Sequence, residues 1–369
     1  MKYYKLAALL LAAALLFTLA ACEFGVDDPT GGPTQEATAS VFPTEGPSED
    51  PSDGPVITPD CVEPGEIRLA VLSGPTGIGA AKLLDNIDNS PASLSYGNYG
   101  YTIYTDNSEL VAGLTKGEID IATMASNVAV NLYHKTGGDV MILAGGTLGV
   151  LHILEGSGGN SIHSVEDLRG KTVWSAGQGA NPEYILRHLL QQSDLEVGVD
   201  VTVEFAEASE IQAKLLSGDI QYAMLPVPAA TAAIAKGEGK VRAAIDVTDA
   251  WDELQSGSRL IMTAVVVRTE YLETYPDLVA HFLTDYENSI DYVNNNLDAA
   301  AELVADLGLT PSAAIAKKAI PQCHLVFLSG YDMVSDMSAY FQSLYAIDPA
   351  SVGGSLPDDG IWYPLYSAD

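Results

Sequence analysis

Positive charge is scarce in this sequence. Seventeen lysines and arginines face 49 aspartates and glutamates, a formal net charge of −32 at pH 7. A surface of that sign repels phosphate, which argues against nucleic acid as a partner, and it keeps the chain soluble. The motifs of several enzyme classes are missing too. The glycine-rich loop Ser73–Gly79 is not followed by Gly-Lys-Ser/Thr, so it is no Walker motif, and it is not GxGxxG at dinucleotide-binding spacing. No Gly-x-Ser-x-Gly nucleophile elbow occurs. None of the six histidines pairs with another at ligand spacing on a helix, so no metal site is expected, and no cofactor is implied. Cys323 and His324 are adjacent, but neighbours on a strand point to opposite faces, which speaks against a catalytic Cys–His pair.

After the first 21 residues no stretch is long and apolar enough to span a bilayer. Those residues have the shape of an export signal: Lys2 and Lys5 begin it, and an apolar run follows to Ala21. Leu19-Ala20-Ala21-Cys22 resembles a bacterial lipobox, which makes Cys22 the expected lipidation site and residues 1–21 a lipoprotein signal peptide. Residues 22–63 are read as a tether. They are mostly Pro, Gly, Thr, Ser, Glu and Asp, too polar to bury a core. A flexible segment of that length reaches roughly 35 Å. This places the folded body near a cell membrane, anchored by lipid on the extracytoplasmic side. A bridge between Cys61 and Cys323 is permitted there. A buried Cys323 with a free Cys61 is the equal alternative.

The folded part carries a duplication. ELVAGLTKGEIDIATMA from Glu109 aligns with EIQAKLLSGDIQYAMLP from Glu210, with Leu114 over Leu215, Gly117 over Gly218 and Ile119 over Ile220. Each copy reads as an amphipathic helix, a left-handed glycine cap and a buried strand. Three further segments match in order: YTIYTD with VTVEFAE, RLAVLSGPTG with KTVWSAGQGA, and HKTGGDVMILAG with AKGEGKVRAAID. Alternating units of this kind predict an α/β fold of two similar lobes, each on a parallel sheet. Lobe one is expected to span 64–150 and 265–369, and lobe two 151–264. Crossings near 149–155 and 260–266 would form the hinge. From Thr269 on, the chain should complete lobe one mostly as helices, one with Leu278, Phe282, Tyr286 and Ile290 at helical spacing.

In open α/β sheets, ligands bind beyond the carboxyl ends of the strands. The loops expected there hold the candidate binding residues: Ser73, Gly74, Pro75, Thr76 and Gly77, then Ser126 and Asn127, then Thr147. The second lobe contributes Gln178, Gly179, Ala180 and Asn181, with Pro226, Val227 and Pro228. Thr76 is a candidate cap or hydroxyl contact. Trp174, Tyr184 and Trp251 are available either to stack on a ring or to pack in the core. The side chains are neutral, and Lys82 is the nearest base in sequence.

The lipobox, the tether, RLAVLSGPTGIG, the ELVAGLTKGEIDIA unit and the two-lobe duplication together resemble ABC-importer solute-binding proteins of the nitrate, sulfonate and taurine class. That class includes the thiamine-precursor-binding proteins. The resemblance covers residue 67 to the C-terminus. It implies the type II periplasmic-binding-protein fold, a small-molecule solute held between lobes, a permease and ATPase complex as partner, a monomer, and no catalysis. The cysteine-rich motif of the related yeast-type pyrimidine synthase is absent from the sequence. A sensory module that presents ligand to a kinase is the alternative function, and a transferase or synthase on the same fold a more distant one.

Overall fold

The computed structural model describes residues 65–254 and 257–363. Cys22, Cys61, the signal segment and the tether lie outside them. The strands in chain order are β1 (Ile67–Leu72), β2 (Tyr99–Tyr104), β3 (Ile121–Ala125), β4 (Val140–Thr147), β5 (Leu151–Glu155), β6 (Thr172–Ser175), β7 (Thr202–Phe205), β8 (Tyr222–Pro226), β9 (Arg242–Asp246), β10 (Thr263–Arg268) and β11 (Leu325–Leu328). They form two sheets, ordered β11-β4-β10-β3-β1-β2 and β7-β6-β8-β5-β9.

The duplicated segments occupy equivalent places. β1 lies between β2 and β3, and β6 lies between β7 and β8, all parallel. The paired helices Asn107–Lys116 and Ala208–Ser217 each end at a glycine in the left-handed region, Gly117 at φ 71° and Gly218 at φ 85°. Leu110 and Leu114 in one, and Ile211 and Leu215 in the other, turn inward at helical spacing.

The expectation of parallel sheets needs correction. β10 runs antiparallel between β3 and β4, and β5 runs antiparallel between β8 and β9. Topology explains this. β4 ends at the edge of its sheet that faces the other half, and three residues later the chain enters the second sheet as β5. A strand entering from that edge must run against its neighbours. The return through β10 obeys the same constraint.

The helical pattern after Thr269 divides in two, Thr269–Thr274 and Pro276–Asn295, because Pro276 has no N–H to continue the first helix and opens the second. Phe282, Tyr286 and Ile290 are buried along it. The helix Gly330–Ile347 does more than complete the first half. Its Tyr340 ring lies 6.1 Å from that of Trp251, and Arg259 on the returning segment pairs with its Asp336 at 2.8 Å. One apolar cluster accordingly joins Met124 and Ala264 of the first sheet to Leu186 and Leu189 of the second half through Met337 and Tyr340.

Each sheet is pinned by one buried carboxylate. Asp120, at the foot of β3, accepts from Arg68 Nε at 2.8 Å on β1 and from Arg268 Nη2 at 3.0 Å on β10. Glu155 on β5 accepts from Arg242 Nη2 at 2.6 Å on β9 and from the Ser161 amide. Burial pushes the Glu155 pKa up, but the hydrogen bonds from Ser161, Arg242 and Ile162 outweigh it and hold the carboxyl below its usual range. Removing one partner of such a network leaves the others uncompensated. Asp120→Ala should therefore cost about 3 kcal/mol, read as a lower denaturant midpoint with an unchanged slope. A midpoint within error of the parent would show that the network contributes nothing.

Candidate functional site

The strand-end loops do not contribute equally. After β1, Gly74 stands at φ 106° and Pro75 opens the helix Pro75–Asn89. Thr76 is buried and donates its hydroxyl to the Leu72 carbonyl, so it does not cap the helix. Gly77 serves packing: a Cβ there would fall 2.7 Å from Leu309 Cδ2. Ser73 is half-buried and donates its amide to the Tyr104 carbonyl at 2.7 Å. Lys82 pairs with Asp85 at 2.6 Å and lies over the Tyr292 ring.

The loops after β3 and β6 meet directly. Asn181 begins the helix Asn181–Gln192 in the second half. Its Nδ2 donates to Ser126 Oγ at 3.0 Å and to the Met262 carbonyl at 2.8 Å. Ser126 in turn donates its hydroxyl to the Ile261 carbonyl at 2.5 Å. Beside it, Asn127 Nδ2 reaches the Ser351 carbonyl at 3.2 Å and the Gly179 carbonyl, across the gap, at 3.5 Å. Ser126, Asn127, Asn181 and Ser351 are all fully buried. The Oδ1 atoms of Asn127 and Asn181 and the Ser351 hydroxyl are buried there without a hydrogen-bond partner among the described residues. The two halves thus meet in a polar seam of neutral groups.

The remaining candidates flank this seam or leave it. Thr147 Oγ1 lies 3.0 Å from Thr263 Oγ1, which joins the two crossing segments. Val227 is fully buried in a cluster with Ile78 and Leu143 of the first half, and the Val227–Pro228 peptide is cis. Pro226 ends β8 half-buried. Gln178 and Gly179 are exposed, and Ala180 is buried. Trp251 is fully buried: its Nε1 donates to the Ser258 carbonyl at 3.0 Å and its ring lies against His188 and Tyr340, so it packs the core. Trp174 is covered by Lys214 Nζ at 4.0 Å, and Tyr184 packs against the core.

Cys323 is buried at the end of a short turn, Ile320–Gln322, not on a strand, and has no disulfide partner among the described residues; Cys61, the other half of the expected bridge, lies outside them. As a thiol its pKa is pushed far up by burial. His324 has φ 44° and sets its Nδ1 2.5 Å from the Gly149 carbonyl at the crossover. Sequence reasoning missed Met262, Ser351 and His324. The first two act through main-chain carbonyls, which no residue pattern announces. Apart from these loops, a cavity of about 520 Å³ opens between the helix Ala229–Lys236 and the segment carrying Lys317, Lys318 and Gln322. None of the candidate loop residues lines it.

The family described as NMT1/THI5 like matches residues 101–300, more than half of the chain. The chain belongs to the NMT1/THI5-like family. Its periplasmic-binding-protein fold recurs in solved structures. An ABC transporter protein from Parabacteroides distasonis superposes with a TM-score of 0.66 at 24% identity, over 82% of this chain and 99% of that one. The periplasmic aliphatic sulphonate binding protein SsuA from Escherichia coli gives 0.63 at 17% identity, over 82% and 93%. A Candida albicans protein described as having the generic periplasmic binding protein fold gives 0.56 at 14%, over 80% and 94%. No curated protein sequence matches. The family match begins inside β2 and ends within the helix Leu297–Asp306, so it takes in the seam residues of both halves except Ser351.

Proposed function

We propose that the protein captures a small solute between its two halves and delivers it to an ABC permease and ATPase complex. The observation that carries this reading is the seam. Loops from equivalent edges of the two sheets converge on Ser126, Asn127 and Asn181, with buried polar groups left over. A cleft lined by a few oriented polar groups between two hinged bodies suits reversible capture. The fold it shares with an ABC transporter protein and a sulphonate-binding protein agrees with that role. The same reading makes the protein a binder and not an enzyme, working as a monomer. The body is held to the extracytoplasmic face of the cell membrane by lipid on Cys22. The hinge lies at residues 148–150 and in the segment that returns to β10.

A ligand that binds only the native state raises its stability by mass action, by about 2.7 kcal/mol at a hundredfold excess over Kd. A thermal-shift screen of the purified protein against sulfonates, nitrate, pyrimidines, purines, amino acids and polyamines should therefore find at least one that raises Tm by about 5 °C or more. A flat response across all six classes would remove the capture reading. Mass spectrometry of membrane-extracted protein should find a mature chain that begins at a diacylglyceryl-modified Cys22. A mature N-terminus at any other residue would refute the anchor.

A further inference from the structure

Two histidines flank the crossing from β4 to β5, one from each half. His324, from the first half, sets its Nδ1 2.5 Å from the Gly149 carbonyl. A carbonyl oxygen only accepts, so that nitrogen carries the proton when the ring is neutral. A second proton would go to Nε2 and leave this bond in place. His152 lies on β5, in the second half, and is buried. Its Nδ1 has no hydrogen-bond partner among the described residues. It stands 3.6 Å from Asp246 Oδ2, beyond hydrogen-bond reach.

Asp246 ties this ring to the crossing. Its Oδ1 accepts from the Thr248 amide at 2.8 Å and from the Asp249 amide at 3.4 Å, which caps the helix Val247–Glu253. The Thr248 hydroxyl in turn abuts Gly149, where a Cβ would fall 2.1 Å from it. The charged groups that act on His152 come from three elements: Asp246 at the end of β9, Asp249 on the helix after it, and His324 just before β11. Burial is the largest influence and pushes the His152 pKa down; the two carboxylates pull it up by less, and a charge on His324 lowers it further. With the halves packed in this way, His152 is held neutral. Charging it would place a cation in a dry site, facing a second imidazole fixed by the other half.

Resting on the capture reading and its hinge at residues 148–150, we infer that His152 is a proton-sensitive switch in that hinge, and that acid biases the two halves toward the open arrangement. Water reaches a protonated His152 as the crossing loosens, and an imidazolium at His324 repels it from the other half. By linkage, the arrangement that takes up the proton more readily gains as pH falls. The packed arrangement takes it up poorly. It is therefore fully favoured above about pH 6.5, the ordinary histidine value, and loses ground below it.

The test measures the separation of the halves in solute-free, full-length protein from about pH 7.5 to about pH 5, a range in which ordinary carboxylates stay mostly charged. Spin labels placed by Lys116→Cys and Ala213→Cys, one on an exposed site of each half, give the distance by pulsed electron paramagnetic resonance when Cys61 is replaced by Ser. The expected result is a shift to longer separation in acid, with a midpoint below about pH 6.5, that is absent in His152→Gln. Asp246→Asn keeps a capping oxygen but removes the charge, so its midpoint should lie at lower pH than the parent's. An unchanged or shortened separation in acid overturns the inference, as does a shift of the same size in His152→Gln. If His152→Gln does not fold, an Asp246→Asn midpoint equal to or above the parent's overturns it instead. The capture reading survives each of these outcomes, because the thermal-shift screen tests it at a single pH.

Discussion

The structure depends on one constraint of chain path: each half receives one strand from the other. The crossings lie side by side and are tied together. The Met262 amide donates to the Thr147 carbonyl at 3.0 Å, and the Thr147 and Thr263 hydroxyls touch. Gly149 is where the path is tightest. A Cβ there would fall 2.1 Å from Thr248 Oγ1, so no larger residue fits without a shift. His324 then fastens the same turn from the first half, with its ring on the Gly149 carbonyl and its own carbonyl on the Leu148 amide. The antiparallel placement of β5 and β10 follows from these crossings, as does the meeting of the two sets of strand-end loops.

That constraint explains what was legible in the sequence and what was not. The helix, glycine and strand units at Glu109 and Glu210 are local patterns, and the glycines in them are required by backbone geometry. They revealed the duplication and with it the fold. The direction of β5 and β10 is a matter of which sheet edge the chain enters, so an apolar run such as TAVVVR carries no trace of it. The side-chain roles at the strand ends divide in the same way. Asn127 and Asn181 stand out as polar residues at helix starts, and both prove to be in the seam. Thr76 resembles them in sequence, but its hydroxyl turns back to Leu72. Trp251 is drawn into the core by Tyr340, a residue 89 positions later on a helix that bridges the halves. Such contacts lie beyond any local pattern.

The seam also clarifies the chain's acidity. A net charge of −32 is carried largely by exposed surface and by residues of the polar N-terminal segment, whereas the seam is neutral. Among the described residues three carboxylates are buried: Asp120 and Glu155 are matched by arginines within their own sheets, and Asp285 accepts from the Ser95 amide and the Tyr99 hydroxyl. The buried ion pairs therefore stabilise each half separately, and where the halves meet the seam's carboxamides and main-chain carbonyls act beside the Arg259–Asp336 pair and the apolar cluster around Met337 and Tyr340. A contact of that kind is strong enough to orient a solute and weak enough to open.

The central claim is that the halves close on a solute at this seam. Spin labels placed by Lys116→Cys and Ala213→Cys, one on an exposed helix site of each half, report the separation directly when Cys61 is replaced by Ser. Pulsed electron paramagnetic resonance should show a broad distribution without solute and a single, shorter and narrower one at saturation with whichever solute the thermal screen identifies. An identical distribution with and without a solute that demonstrably binds would contradict the account.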